Sequence, residues 1–207
     1  MPKDTFHRLA DEKKQRILQA AYEEFYKNTY SKASINQIVK DADIPRGSFY
    51  QYFDDKKDLF LYVIEEHVKT IANEFSLKLV RCDGDIFECI DDCMKEFING
   101  SVQNTGILKM VFSEPWIFEM IWSESIRRSR EDCNEMTGKL VQKINRDKLN
   151  IEDEEEIFIL LGIIGAIIRD VLDKIFLSSD IADKKRLQKI FHARIQSLRR
   201  HYTKIFC

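Results

Sequence analysis

Residues that form turns are scarce along this chain. Seven glycines and three prolines occur among 207 residues, and all three prolines lie within the first 115. A protein built from many short strands needs frequent turns, so this scarcity favours long helices. Apolar residues make up 44% and charged residues 33% of the chain, which is typical of globular rather than disordered proteins. The sequence therefore predicts an all-α fold.

Charge and cysteine usage restrict where the protein works. The formal net charge is −2, and the first 57 residues carry 11 Lys and Arg against 9 Asp and Glu. This balance does not itself indicate a nucleic-acid partner, so a case for one has to rest on where the charges are placed. The N-terminus lacks the apolar stretch of a secretory signal. The apolar run at 157–168 is shorter than the roughly 20 residues of a membrane-spanning helix. The five cysteines are an odd number and follow no zinc or disulfide spacing, so we expect reduced thiols, a cytoplasmic location and no membrane association.

Apolar spacing predicts three short helices near the N-terminus. An amphipathic stripe covers residues 11–28, and a polar break follows at 28–31. Ser34 and Gln37 have the spacing of a capping box at the start of a second helix. Pro45 suits the first turn of a third helix, which we expect to end at about Tyr52.

The second and third of these helices, joined by one tight turn, have the dimensions of a helix-turn-helix. In that geometry the second helix of the pair enters the DNA major groove, and its N-terminal residues meet base edges. Arg46 can pair with guanine through two hydrogen bonds, and Ser48 can bond a base or a phosphate. Gly47 lets the backbone approach DNA closely.

Helical periodicity also predicts which side chains of this segment face outward. Tyr50 and Tyr52 are expected to present hydroxyl groups on the outer face, whereas Phe49 and Phe53 point inward. Lys56 lies at the start of the next helix, where its charge and the helix amides can hold a phosphate together.

The stretch from Lys14 to Leu59 resembles the DNA-binding domain of the tetracycline-repressor (TetR) family. The similarity is densest over residues 38–53, followed by Lys56, and the whole stretch covers about a quarter of the chain. Two positions depart from the family pattern. Asp43 stands where a turn glycine is common, and Pro45 stands where a Ser or Thr cap is common. Asp tolerates a left-handed turn and Pro is a good first helical residue, so both are compatible with the fold.

The resemblance implies a role for individual residues. Ser34 matches a helix-capping position that faces phosphate, and Asn36 and Gln37 match positions that often touch DNA. Arg46 and Ser48 match positions that contact the bases or backbone of DNA, and Tyr50, Tyr52 and Lys56 match positions that bind its phosphates.

The resemblance also implies two domains. Residues 1–55 would be the three-helix DNA-binding domain, and residues 56–207 a larger helical domain for ligand binding and dimerisation, with a helix over 56–79 linking the two. Apolar periodicity predicts about nine helices in all. The later ones are expected at about 86–99, 105–113, 116–146, 153–177 and 183–205.

Aromatic residues and methionines crowd the stretch from 110 to 122 and recur on the preceding helix. Such side chains give an adaptable apolar lining between helices, although an ordinary core would use them as well. The predicted effector pocket is lined by Phe87, Cys93, Phe97, Met110, Phe112, Trp116, Phe118, Met120 and Trp122.

Two long helices near the C-terminus, over 157–176 and 187–205, carry enough apolar surface to need covering. Gly162 and Gly165 would let another helix approach closely. Two such helices from each subunit can pair as a four-helix interface, and the resemblance also implies a homodimer. Two recognition helices must reach major grooves about 34 Å apart. The predicted interface residues are Ile164, Ile168, Leu187, Phe191 and Leu198.

These features together predict a ligand-responsive transcriptional regulator. We expect a repressor that binds a palindromic or pseudo-palindromic DNA operator as a homodimer and is released by a small, largely apolar effector. The four histidines are scattered, and the sequence has no phosphate-cradling glycine loop and no nucleophile–base pair, so we expect no enzyme, catalytic residue, metal site or cofactor. Alternatives are an activator, a ligand-independent regulator, or a thiol- or metal-responsive regulator that uses Cys89 and Cys93, which share one helical face.

Overall fold

The computed structural model describes residues 2–100, 105–112, 116–117, 120, 138–177 and 180–204. In chain order its helices are α1 (Asp4–His7), α2 (Asp11–Lys32), α3 (Ile35–Asp41), α4 (Arg46–Tyr52), α5 (Lys56–Arg81), α6 (Ile86–Ile98), α7 (Thr105–Phe112), α8 (Glu154–Leu177) and α9 (Ile181–Tyr202). Residues 138–141 are also helical, and a short 3-10 helix spans Arg146–Lys148. Within these ranges the β structure is one isolated bridge between Leu149 and Thr203. The all-α prediction is confirmed.

Most helices lie where the apolar spacing predicted them. The predicted linking helix over 56–79 is α5, and the two long C-terminal helices are α8 and α9. The helix predicted over 116–146 lies mostly outside the described residues. Helix α1 was not predicted. None of the described helices has both the length and the apolarity that crossing a membrane requires.

The chain divides into two compact units. The first, unit 1, comprises Met1–Ile71 and Gly106–Glu124, and the second, unit 2, comprises Ala72–Thr105 and Ser125–Cys207. Helix α5 contributes residues to both. The predicted functional boundary at residue 55 stays a prediction.

Unit 1 has an aromatic core. Phe49 and Phe53 are fully buried, which confirms that they point inward. The ring of Phe6, also fully buried, lies 4.9 Å from that of Phe53 between centroids, and Phe25 and Phe60 are paired at the same distance. Burial of several aromatic rings is the main stabilising contribution that a unit of this size can have.

One group of the residues predicted to line an effector pocket belongs to unit 1. Met110 is buried in its core, and Phe112 is half-buried on the same helix. The ring of Trp116 meets that of Tyr30 edge-on, with centroids 5.1 Å apart, and Met120 packs against the same core. These side chains therefore pack against the N-terminal helices.

A second group of the predicted pocket residues belongs to unit 2. Phe87, Cys93 and Phe97 lie on α6, where Phe87 is buried and the other two are half-buried. Phe118 and Trp122 lie outside the described residues. A pocket that combines the two groups stays a prediction.

Unit 2 contains α6, α8 and α9 together with the C-terminal part of α5. Helix α9 packs against both α6 and α8. Two polar contacts reinforce the pairing of α6 with α9. An Arg199 nitrogen donates to the Asp85 carboxylate at 2.5 Å, and Nδ1 of His192 lies 2.5 Å from the Asp91 carboxylate. Because both carboxylates are almost fully buried, these contacts fix how α6 lies on α9.

Two of the five predicted dimer residues are part of this packing. Ile164 and Phe191 are only 2% and 1% exposed within the single chain, so they have little area left to bury against a partner. The interface prediction as a whole stays a prediction. The remaining three, Ile168, Leu187 and Leu198, are half-buried.

Candidate nucleic-acid interface

Helices α3 and α4 are joined by a turn in which the backbone of Asp43 is left-handed, with φ of 52°. The N–H of Ile44 donates to the carbonyl of Val39 at 3.0 Å, and the N–H of Asp43 donates to that of Lys40 at 3.2 Å. This pair of bonds is the Schellman arrangement, which usually places glycine at the left-handed position. The expectation that Asp43 adopts this conformation is confirmed, so the helix-turn-helix closes without a glycine.

Pro45 lies just before α4 rather than inside it. Its φ of −59° and ψ of 142° make it the N-cap residue, and its carbonyl accepts a hydrogen bond from the N–H of Ser48 at 2.9 Å. The predicted helix start was therefore one residue early. The correction places Arg46 and Gly47 in the first turn of α4, where free backbone N–H groups are available to an anion.

Helix α4 has one buried side and one exposed side. Phe49 packs beneath it, whereas Arg46, Gly47 and Tyr50 are exposed, the last at 46% of its surface. Ser48 is half-buried at the margin. The helix therefore presents a guanidinium, a bare backbone segment and a phenol hydroxyl on one outward surface.

Tyr52 does not belong to that surface. Its side chain is only 6% exposed, so the prediction that it faces outward is wrong. Its ring packs edge-on against that of Phe6, with centroids 6.2 Å apart, and the Lys13 ammonium lies 5.7 Å from its centroid. Periodicity failed here because α1 covers a turn of α4 that would otherwise be exposed.

The N-terminal segment holds the end of α4. The Lys3 ammonium donates to the carbonyl of Tyr50 at 2.9 Å, the Lys3 N–H donates to the carbonyl of Tyr52 at 2.8 Å, and the hydroxyl of Thr5 donates to the carbonyl of Gln51. These are carbonyls that a helix end leaves without an intrahelical partner. The same ammonium lies 2.8 Å from the Asp54 carboxylate and holds the pKa of that carboxyl below its ordinary value. Lys3 and Thr5 thus position α4. The sequence around them has no helical periodicity from which this role could have been predicted.

The capping box predicted at the start of α3 is absent. The Ser34 side chain makes no cap hydrogen bond, and the Gln37 amide donates instead to Asp41 at 2.7 Å. The N–H of Ser34 donates to a carboxylate oxygen of Glu24 at 2.8 Å, and Glu24 is buried. A residue ten positions earlier on α2 therefore anchors the start of α3.

Ser34, Asn36 and Gln37 are all exposed, and they line one open groove of about 500 Å³ between α2 and α3. Lys27 and Lys40 lie along the same groove, together with acidic residues. The structure thus brings the three predicted α3 residues together with two cationic side chains.

Lys56 has a structural role that was not predicted. Its ammonium donates to the carbonyls of Tyr30, Ala33 and Ser31, at 2.8, 3.0 and 3.4 Å, and lies 4.8 Å from the centroid of the Tyr30 ring. These carbonyls belong to the end of α2 and the turn after it, beyond the left-handed Thr29. A cation there satisfies orphan carbonyls and complements the helix dipole. A contact from Lys56 to phosphate stays a prediction.

The exposed surface of α4 suits recognition of a duplex. A guanidinium can read guanine in the major groove, while hydroxyl groups and first-turn amides can hold phosphate oxygens. Among the residues that the structure describes, no group of three or more His, Cys, Asp or Glu side chains is placed to hold a metal ion.

Comparison with known proteins also indicates a helix-turn-helix that binds DNA. The family model described as "Bacterial regulatory proteins, tetR family" matches residues 17–63. A relative from Lactococcus lactis subsp. lactis, named as an uncharacterized HTH-type transcriptional regulator in lacX 3'region, is 45% identical over 144 residues. That match covers 63% of this chain and 72% of the relative.

Two solved structures share the fold. A TetR-family regulator from Mesorhizobium loti is similar with a TM-score of 0.65 at 16% identity, over 93% of this chain and 98% of that one. NalD of Pseudomonas aeruginosa, described as the secondary repressor of the MexAB-OprM multidrug efflux pump, gives a TM-score of 0.57 at 18% identity, over 95% and 99%. With the helix-turn-helix matched by the family model and a 45% identical regulator matched over 72% of its length, the protein belongs to the tetR family of bacterial regulatory proteins and is a DNA-binding regulator of transcription.

Proposed function

We propose that this regulator is a repressor that binds a palindromic or pseudo-palindromic operator as a homodimer and leaves it when a small, largely apolar effector binds. The observation that carries the DNA-binding part is the exposure of Arg46, Gly47 and Tyr50 on a helix whose opposite side is buried. The description of NalD as a repressor supports the direction of control. A protein with this role acts on the chromosome, in the bacterial cytoplasm.

The effector would act by binding one arrangement of the helices better than another, since a ligand shifts an equilibrium only through its differential affinity. Helix α5 begins four residues after α4 ends and contributes residues to both units, so a displacement of α5 would move the recognition helix. In a homodimer this displacement would change the separation of the two reading heads.

DNase footprinting on the protein's own promoter region tests the proposal. We expect protection of two half-sites related by a dyad, with centres about 34 Å apart or a multiple of that distance. A panel of small apolar compounds is then tested for a raised melting temperature and for a lowered operator affinity. Protection of a single site without a dyad would contradict the dimeric arrangement, and compounds that bind without changing operator affinity would contradict the effector role.

Gly47→Ala separates DNA contact from stability. A Cβ at this position would have no heavy atom within 4 Å, so the fold itself does not require glycine here. Because alanine favours helix by up to about 1 kcal/mol, we expect an unchanged or slightly higher melting temperature. Operator binding should weaken by about 1–2 kcal/mol, roughly five- to thirtyfold, if the backbone approaches DNA closely.

Gly138→Ala is the matched control for this variant, since Gly138 is also helical and has equally open surroundings. It should share the small stability effect and leave operator affinity unchanged. Equal affinities for Gly47→Ala and wild type, measured by fluorescence anisotropy, would remove Gly47 from the DNA contact surface.

Exposed apolar residues on α8 and α9 support the proposed dimer. Phe158, Ile159 and Ile163 on α8 are 44%, 53% and 37% exposed, and Ile190 on α9 is 36% exposed. Exposed apolar clusters of this kind mark association surfaces. The interface we propose therefore consists of these side chains together with the half-buried members of the predicted set, Ile168, Leu187 and Leu198.

Ile163→Glu is expected to weaken the dimer at least roughly tenfold, because it places an unpaired carboxylate in an apolar contact. Sedimentation velocity over a concentration series measures the effect. Lys185→Glu introduces the same side chain at an exposed polar position of α9 and should leave the dimer intact. A dimer of unchanged strength in Ile163→Glu would exclude this face of α8 from the interface.

A further inference from the structure

Three cysteines of unit 2 lie together. Cys89 and Cys93 are one turn apart on α6, and Cys82 lies in the turn that follows α5. Hydrogen bonding among the thiols raises the pKa of Cys89 and lowers that of Cys93. All three are free thiols in this structure. The four-residue spacing of Cys89 and Cys93 predicted the pair on α6, and the fold adds Cys82 to it.

A charged side chain accompanies this cluster. The Lys78 ammonium lies 2.7 Å from a carboxylate oxygen of Glu96, and its positive charge acts on the Cys93 thiol. A hydrogen bond from the Cys89 thiol and the charge of Lys78 hold the pKa of Cys93 below its ordinary value, against the effects of burial and of Glu96. A cation beside a thiol favours the thiolate, which is the form of cysteine that reacts.

The three cysteines differ in accessibility and acidity. Cys93 and Cys82 are half-buried, whereas Cys89 is fully buried. Hydrogen bonding to Cys93 and burial raise the pKa of Cys89, and burial raises the pKa of Cys82. Cys93 is therefore both reachable from solvent and the most readily ionised of the three.

We propose that Cys93 is the reactive thiol of a hydroperoxide-sensing site and that Cys89 closes its oxidised form into a disulfide. The Cys93 thiolate attacks a peroxide oxygen, the O–O bond breaks, hydroxide or alkoxide leaves, and Cys93 becomes a sulfenic acid. The Cys89 sulfur then attacks the Cys93 sulfur, the S–O bond breaks, and the thiol proton leaves with the hydroxyl group as water. Two thiols supply the two electrons that reduce the peroxide.

The consequence for α6 follows from geometry. Helical residues four apart have Cβ atoms about 5–6 Å apart, whereas a disulfide needs about 3.5–4.5 Å. Closing the bond therefore requires α6 to bend or unwind locally. Its buried Asp85 and Asp91 are bonded to Arg199 and His192 of α9, so the change in α6 is transmitted to a helix of the proposed dimer surface. The effect of the disulfide on the dimer surface and on DNA binding rests on the proposed function, whereas the thiol chemistry does not.

The chemistry is tested on the reduced full-length protein with hydrogen peroxide, followed by alkylation, cleavage before aspartate and mass spectrometry. Cleavage before Asp83 and Asp91 separates Cys82, Cys89 and Cys93 into different peptides. We expect a disulfide that links the Cys89 and Cys93 peptides, loss of peroxide reaction at this cluster in Cys93→Ser, and an unchanged reaction in Cys82→Ser. A disulfide to Cys82 instead, or an unreactive cluster in the wild type, would overturn the assignment.

Two charge variants test the part played by Lys78. Lys78→Gln should slow the peroxide reaction of Cys93 by roughly three- to tenfold, because less thiolate is present. Glu96→Gln should accelerate it, since Glu96 opposes ionisation of Cys93. If the ion pair only stabilised the structure, both substitutions would change the rate of the peroxide reaction in the same direction. That result would overturn the inference that Lys78 activates Cys93.

Operator binding is the final readout. Oxidised wild type should bind its operator at least roughly tenfold more weakly and recover with a thiol reductant, whereas Cys89→Ser should lose this response. A disulfide that forms without a change in operator affinity would overturn the sensing role and leave the proposed repressor function intact. If the reduced protein does not prefer the operator over random DNA, the proposed function is contradicted instead. The mass-spectrometric measurements would then still show whether Cys93 and Cys89 react as proposed.

Discussion

Phe53→Ala is expected to destabilise unit 1 by about 3–5 kcal/mol, the usual cost of deleting a buried aromatic ring. Phe53 is fully buried where α4 ends, and its ring meets those of Phe6, Phe49 and Tyr62, with centroids 4.9, 5.7 and 6.4 Å apart. These rings come from α1, α4 and α5, so the surrounding backbone cannot close the cavity without moving the recognition helix. We expect operator binding to be lost over the range of denaturant in which unit 1 unfolds.

Urea denaturation followed by far-UV circular dichroism and tryptophan fluorescence measures this loss. Gln51→Ala is the control, because Gln51 lies in the last turn of α4, two residues before Phe53, and is exposed. Its effect should stay within about 0.5 kcal/mol. A loss below about 1 kcal/mol for Phe53→Ala would mean that the ring is not part of a packed core.

Gly84→Ala is expected to destabilise unit 2 by about 2–4 kcal/mol, which combines left-handed backbone strain with steric overlap. Gly84 has φ of 68°, and a Cβ there would lie 2.5 Å from the backbone nitrogen of Asn145 and 2.8 Å from the carbonyl oxygen of Lys143. Neither backbone atom can rotate away. The Asn145 N–H also donates to the Gly84 carbonyl at 3.0 Å, so relief of the overlap would break that bond.

Gly100→Ala is a matched control for the steric part. Gly100 has a similar φ of 73°, but a Cβ there would have no heavy atom within 4 Å. We expect only the backbone cost of about 1–2 kcal/mol. Equal melting temperatures for the two variants, measured by calorimetry, would contradict the close approach of residues 143–145 to Gly84.

The sequence predicted those features that depend on local periodicity and turn chemistry. The inward faces of Phe49 and Phe53, the left-handed Asp43 and the break before Ser34 all followed from spacing or from the conformational preference of one residue type. The break is a kink at Thr29, whose φ is 57°. Each of these signals is contained within a few residues.

The features that the sequence missed depend on partners distant along the chain. Tyr52 is buried because α1 covers it, and α1 is a four-residue helix, too short to show a periodic signal. The start of α3 is anchored by Glu24 rather than by its own capping box, since a buried carboxylate supplies a stronger, charge-assisted acceptor. Lys78 lies on α5 and reaches α6 through its ion pair with Glu96, 2.7 Å away. Such contacts follow from the packing of helices, which spacing alone does not specify.

The most direct test of DNA recognition by α4 is operator binding by wild type and Arg46→Ala, measured by fluorescence anisotropy across a salt series. We expect wild type to prefer its own promoter DNA over random duplex, with an affinity that falls steeply as salt rises. Arg46→Ala should lose about 1–3 kcal/mol of binding to the operator, with a smaller loss on random duplex. No preference for the promoter in wild type, together with unchanged binding by Arg46→Ala, would contradict recognition through this helix.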